Sequence, residues 1–172
     1  VLTVLRPQRE GYIDYRGYAG RVASGIFRPG DKITVMPSGF TSKIKTIDTL
    51  KGELEEAHAP MSISITLEND IDISRGDMIV KTNNKPEPKQ EFDAMLCWLN
   101  NSPARPRAKY SILHTTNDQK AMITDVMYKV DVNSYDRIED DKELRMNDIS
   151  RVTIRTMRPL MIDEYRDNRI TG

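Results

Sequence analysis

Apolar and polar residues alternate along this chain with a period of two, the repeat of half-buried strands rather than of helices. The clearest case is Met61, Ile63, Ile65 and Leu67 on one side, with Ser62, Ser64 and Thr66 on the other. Leu2 to Leu5 forms a short first strand stopped by Pro7, and Arg9-Glu10-Gly11 turns the chain into Tyr12-Ile13-Asp14-Tyr15. Tyr18 to Gly39 reads as a β-hairpin whose arms flank Arg28-Pro29-Gly30-Asp31. Proline at the second turn position and glycine at the third fit a type II turn. Gly25, just before it, suggests a bulge or a close backbone approach. Thr41 to Leu50 is strand-like, but Ile44 and Ile47 are three apart, which predicts a bulge. Leu54 to His58 has room for one helical turn, and Ser74-Arg75-Gly76-Asp77 turns into a last strand, Met78-Ile79-Val80.

Thr82 to Gln90 (TNNKPEPKQ) has no apolar residue and two prolines, the composition of a linker. The chain is therefore divided into 1–82, a linker at 83–90, and 91–172. In the second part Phe92 to Leu99 is nearly continuous apolar with Trp98 as its large core residue, and Ser102 to Arg107 is a proline-stiffened loop. Lys109 to His114 and Ala121 to Val132 follow as strands, the second placing Met122, Val126, Tyr128, Val130 and Val132 on one face. Asn133 to Asn147 is a long charged loop, Ile149 to Met157 alternates again, and Leu160-Met161-Ile162 comes after Pro159. No apolar helical stripe exceeds two turns. The fold class expected is all-β, two consecutive small antiparallel β-barrels, because short strands at this spacing must close or stack to hide their edges.

Charge changes the picture by exclusion. Lys plus Arg and Asp plus Glu number 26 each. Before Pro86 there are 12 basic and 11 acidic residues, and after it 14 and 15. Neither half has the basic field of a dedicated nucleic-acid binder. The single cysteine, Cys97, excludes an internal disulfide and fits a reducing, cytoplasmic compartment. No apolar run approaches the ~20 residues of a membrane helix. Val1 to Pro7 is not a signal peptide and carries no initiator methionine, as expected of a segment from a longer protein.

Asp70, Asp72 and Ser74 imitate the start of a calcium loop, but Arg75 stands where that loop needs glycine and Lys81 where it needs an acid. A solvated turn is the reading, and Arg75-Gly76-Asp77 is part of it. His58 and His114 fall on separate expected domains, so no catalytic or metal pair is read from them; His114 shares a face with Tyr110 and Ile112, as a hydrogen-bonded, partly buried histidine would. Cys97, beside Trp98 with no flanking cation, reads as a buried small hydrophobe. Arg105, Arg107 and Lys109 with Tyr110 are a solvated loop or a contact to phosphate or RNA. Glu139-Asp140-Asp141-Lys142-Glu143 is an exposed face or a docking patch for a basic partner. There is no G-x-x-x-x-G-K-[ST] loop to cradle phosphates, no Asn-Lys-x-Asp element, and no Ser/His/Asp or Cys/His set. No catalytic, cofactor-binding or metal residue is assigned.

Gly20-x-Val22-x-x-Gly25-x-x-x-x-Gly30-Asp31-x-Ile33 resembles the hairpin of the second domain of translation-factor GTPases. The whole chain resembles domains two and three of the elongation-factor Tu/1-alpha group, and within it the large, GTP-hydrolysing subunit of bacterial sulfate adenylyltransferase. The residues that carry this are Asp14 to Gly20 (DYRGYAG), Ala23-Ser24-Gly25, Val35 to Gly39 (VMPSG) and above all Asp70 to Asp77 (DIDISRGD). Trp98, His114-Thr115-Thr116, Tyr128 to Asn133 and Arg169 to Gly172 continue it, while Ala59-Pro60-Met61 departs from the family's Ala-Gly-Glu turn. The resemblance implies a nucleotide-binding domain with GTP and Mg before Val1 and a last barrel strand after Gly172. The family's functional residues lie in that other domain, so none carries over. It further implies coupling of GTP hydrolysis to formation of adenosine 5′-phosphosulfate and pyrophosphate from ATP and sulfate. The partners implied are the protein's own GTPase domain and the small catalytic subunit, with neither nucleic acid nor membrane. The alternative is a pair of RNA-binding barrels from a translation elongation-factor GTPase, which the balanced charge disfavours.

Overall fold

The computed structural model describes residues 1–7, 15–105 and 107–172. The turn expected at Arg9-Glu10-Gly11 and most of the stretch from Tyr12 lie outside them. The described residues form strands and no helix, and they divide into two compact units.

The first unit comprises Val1–Pro88, Leu113–Asn117 and Met161–Gly172. Its strands are β1 (Thr3–Leu5), β2 (Gly17–Arg21), β3 (Ile26–Phe27), β4 (Lys32–Met36), β5 (Thr41–Thr49), β6 (Gly52–Glu53), β7 (Ala57–His58), β8 (Ser62–Leu67) and β9 (Met78–Lys81). The antiparallel order is β1-β2-β8-β5-β4-β9, with β6 on β5 and a separate β3–β7 pair. Tyr18, Val22, Ile33, Val35, Ile44, Ile47, Ile65, Ile71 and Ile73 fill the interior.

The Arg28–Asp31 turn forms as its residues dictate, with Gly30 at φ +86° and the Asp31 N–H donating to Arg28 O at 3.1 Å. The expected hairpin does not. The arms never pair, because the Gly30 N–H goes to Ile44 O (2.7 Å) and β4 has both edges taken, by β5 and β9. Turn chemistry reverses the chain locally, while competing ladders choose the partner. Gly25 has open space around its missing Cβ, so its φ of +71° is the reason for glycine there, not a close approach. The bulge predicted in β5 is present: the register against β8 slips between Ile44 and Thr46, which turns both Ile44 and Ile47 inward. Leu54 to His58 makes no helical turn. The Leu54 N–H donates to Ile47 O (2.8 Å), and Ala57, fully buried, pairs with Phe27.

The second unit comprises Lys89–Ile112 and Asp118–Leu160. Its sheet runs β10 (Pro88–Cys97), β14 (Ile149–Met161), β12 (Asn117–Val130), β11 (Lys109–His114), and β13 (Arg137–Ile138) adds to β12. β10 starts inside the apolar-free stretch, where the Gln90 side chain donates to Thr156 O at 3.0 Å. Val126, Leu144 and Val152 form the core, with Leu96, Trp98, Ala104, Ile123 and Ile154 packed against it. Cys97 is exposed, contrary to the sequence reading: strict alternation turns Leu96 and Trp98 inward and leaves Cys97 outside. The single face expected for β12 is broken as well. Register shifts at Ile123/Asp125 and Val126/Tyr128 turn Val126 and Lys129 into the interior, and Val132 is exposed.

Candidate functional site

Among the described residues no three His, Cys, Asp or Glu side chains gather to hold a metal, and no helix is long and apolar enough to cross a membrane. The charged groups singled out from the sequence fall into ion-paired clusters and one cationic loop.

The calcium-like acids are directed at an arginine. Arg16 Nη1 donates to Asp70 at 3.1 Å and Nη2 to Asp72 at 2.9 Å. Burial opposes the Arg16 charge, but the two carboxylates outweigh it and its pKa is raised. Beneath, the buried Tyr18 hydroxyl donates to Ile71 O at 2.7 Å, so Asp70 and Asp72 flank a segment tied to the core. The Ser74 N–H donates to Asp77 Oδ2 at 2.8 Å, closing the Arg75-Gly76-Asp77 turn. His58 bonds the neighbouring Ala59 carbonyl at 2.9 Å, and His114 Nε2 bonds Thr171 O at 2.9 Å from a half-buried position, as its place on the strand face predicted.

The acidic run at Glu139 to Glu143 is only partly a solvated face. Asp141 binds Lys129 Nζ at 2.8 Å and Arg145 at 3.0 Å, while Asp148 takes Lys129 from the other side at 2.7 Å. Lys129, 4% exposed, is a fully paired buried cation that sequence reasoning missed. Burial lowers its pKa and the two carboxylates more than restore it, so the net shift is upward. The signal lay in its position between Tyr128 and Val130, inside an apolar strand with no escape to solvent.

Arg105, Arg107 and Lys109 are exposed. Their loop is anchored by aromatic side chains: Trp98 Nε1 donates to Ser102 O at 2.9 Å, and the Arg105 N–H donates to the Tyr110 hydroxyl at 3.0 Å. The Trp98 and Tyr110 rings meet edge-to-face at 5.4 Å.

The family model described as GTP-eEF1A C-terminal domain-like matches residues 91–172. The bifunctional enzyme CysN/CysC of Mycobacterium tuberculosis (strain H37Rv) is 45% identical over 170 residues, covering 98% of this chain and 28% of that protein. Sulfate adenylyltransferase subunit 1 of Bacteroides thetaiotaomicron is 40% identical over 177 residues, covering 98% of this chain and 36% of that protein. The chain thus spans about a third of the length of the curated relatives it matches. A crystal structure of sup35 complexed with GDP superposes with a TM-score of 0.84 over 91% of this chain and 39% of its own, at 15% identity. That likeness shows the fold, a translation-factor type of β-barrel.

Proposed function

This chain is a member of the sulfate adenylyltransferase subunit 1 family, and from that premise we propose that it supplies the accessory barrels of a GTP-hydrolysing sulfate adenylyltransferase subunit in the cytoplasm. Residues 1–82 and 91–172 are the two barrels of this reading and 83–90 their linker. The observation that carries it is identity of 40–45% along 98% of the chain. The parent reaction joins a sulfate oxygen to the α-phosphorus of ATP and expels pyrophosphate. The mixed anhydride formed is high in energy, and coupled GTP hydrolysis offsets that cost. GTP and Mg belong to the subunit's GTPase domain in this reading. The chain's own share is mechanical: stiff, ion-paired sheets that dock on the GTPase domain and on the small catalytic subunit, and reorient with the bound nucleotide.

The test uses the parent polypeptide with the small subunit. Adenosine 5′-phosphosulfate formation should rise with GTP, and deletion of these 172 residues should abolish the rise while GTP hydrolysis persists. Full GTP stimulation without the barrels would overturn the mechanical role. Absence of product, with salt-sensitive tRNA binding in its place, would favour the translation-factor alternative.

A further inference from the structure

We infer that Arg105, Arg107 and Lys109, borne on the described residues 100–105 and 107–109, form a cationic docking site for an acidic segment of a protein partner. The partner's identity as the small adenylyltransferase subunit rests on the reading above; the site itself rests on the geometry of the second unit.

Three cations fall within five residues, and none of Arg105, Arg107 and Lys109 joins an ion pair among the described residues. Lys129 pairs with Asp141 and Asp148, Arg145 with Asp141 and Glu143, and Arg151 with Asp93, while Arg137 lies over the Tyr128 ring. Lys89, Lys120, Arg155 and Arg158 are exposed without an ion pair among the described residues, but they are scattered along strands instead of gathered on one loop. A loop of such charge is ordinarily slack, because solvated cations repel and nothing ties down the backbone. Here the backbone is bonded at successive points. The Ser102 N–H donates to Asn100 Oδ1 at 2.9 Å, the Ala104 N–H to Leu144 O at 2.9 Å, and the Ala108 N–H to Arg105 O at 3.2 Å. With the Trp98 and Tyr110 anchors these fix where the cations emerge. Arg107 is held at φ +57°, a left-handed conformation uncommon for a non-glycine residue. Leu99, 73% exposed at the loop's base, adds an apolar contact beside the charges.

Order already present in the free protein is order that binding need not impose, so a complementary partner loses less entropy on docking. Arginine forks match carboxylates in bidentate geometry. A polypeptide fits better than nucleic acid. The chain has 26 acidic and 26 basic residues, without the broad field that duplex or tRNA binding draws on. The two aromatic rings are half-buried and packed on each other, not offered as stacking platforms for bases.

The experiment measures association of the parent polypeptide with the small subunit at about 50 and about 300 mM salt. Wild type should associate faster at low salt. The variant Arg105→Glu/Arg107→Glu/Lys109→Glu should lose on the order of tenfold in on-rate at low salt, with a flattened salt dependence. Its melting should be unchanged, because the three side chains are exposed. Tyr110→Phe keeps every charge and removes the hydroxyl clamp; a fall of about two- to threefold is expected from lost preorganisation. An unchanged on-rate and salt slope in the triple variant overturns the inference while leaving the proposed function intact. No association of wild type at either salt overturns both. If charge reversal abolishes tRNA retention but spares the small subunit, the occupant is nucleic acid and the inference fails.

Discussion

Replacing Lys129 by methionine keeps the length of the side chain and deletes its charge. The Lys129 side chain is 6% exposed and sits 2.8 Å from Asp141 and 2.7 Å from Asp148. After substitution Asp141 still has Arg145 at 3.0 Å. Asp148 keeps only the Arg145 N–H at 2.8 Å, and it is the group left stranded. Removing one partner of a fully buried pair costs about 3–5 kcal/mol. The Asp148 side chain is 27% exposed and recovers part of its hydration, so about 2 kcal/mol is expected for Lys129→Met. In urea, at an m-value of about 1–2 kcal/mol/M, the midpoint of the second unit should fall by about 1–2 M. Adding Asp148→Asn removes the stranded carboxylate, so the double variant should be no less stable than Lys129→Met alone, with a coupling of at least ~1 kcal/mol. A midpoint shift below about 0.3 M, or strict additivity, would refute the reasoning.

The same cluster sets an acid limit. The Lys129 ammonium, aided by the Glu143 N–H, holds the Asp141 carboxyl down to about 2. Asp148, though burial pushes it up, is pulled lower by Lys129 and by the Arg145 N–H. Carboxylates depressed on folding stabilise above their unfolded value, near 3.9, and that stability is lost as pH falls toward the folded value. Wild type should lose stability from about pH 4 down to about pH 2, and Lys129→Met should show a shallower slope there.

Three further outcomes are expected. Leu144→Ala, at a position 2% exposed in the core, should cost about 2–5 kcal/mol by urea titration; a loss under ~1 kcal/mol would mean that the loop does not close that core. Gly76→Ala should cost about 1–3 kcal/mol, since φ is +94° and a Cβ would meet Asn117 Cα at 3.2 Å; an unchanged melting temperature would show the turn to be slack. Calorimetry of the 172-residue chain with GTP should be flat, because its sequence has no phosphate loop; a Kd of ~10 µM or tighter contradicts this.

Strands were legible wherever local alternation alone decides them. Met61 to Leu67 and Lys109 to His114 needed nothing beyond period two, and the odd spacing of Ile44 and Ile47 announced the bulge in β5. Pairing was not legible. The Arg28–Asp31 turn advertises a hairpin, yet β3 goes to β7 and β4 to β5 and β9, and only long-range competition among ladders decides that. In β12 the error has one cause. A bulge consumes a residue without advancing the ladder, so each one reverses the facing. After Ala121 and Ile123 the first brings Val126 inward in place of Asp125, the second brings Lys129 inward in place of Tyr128, and Lys129 leaves the expected outer face for the interior.

The polar clusters divide along the same line. The mismatch with a calcium loop at Arg75 and Lys81 is local and could be read from spacing; that Arg16 takes both Asp70 and Asp72 could not be read, because 54 residues separate it from Asp70. The run from Glu139 to Glu143 shows why charge runs mislead. Once a bulge has buried Lys129, that ammonium must find carboxylates, and the nearest sit on the charged loop that Leu144 has drawn into the core. The loop's acidity is therefore partly spent inside, on Lys129, and the docking patch for a basic partner that its composition suggested loses Asp141, while Glu143 pairs with Arg145 at the surface. The cations at Arg105, Arg107 and Lys109 have no such inward demand. Three cations within five residues, on a loop braced by Trp98 and Tyr110, concentrate positive charge there and favour a negative partner over a positive one.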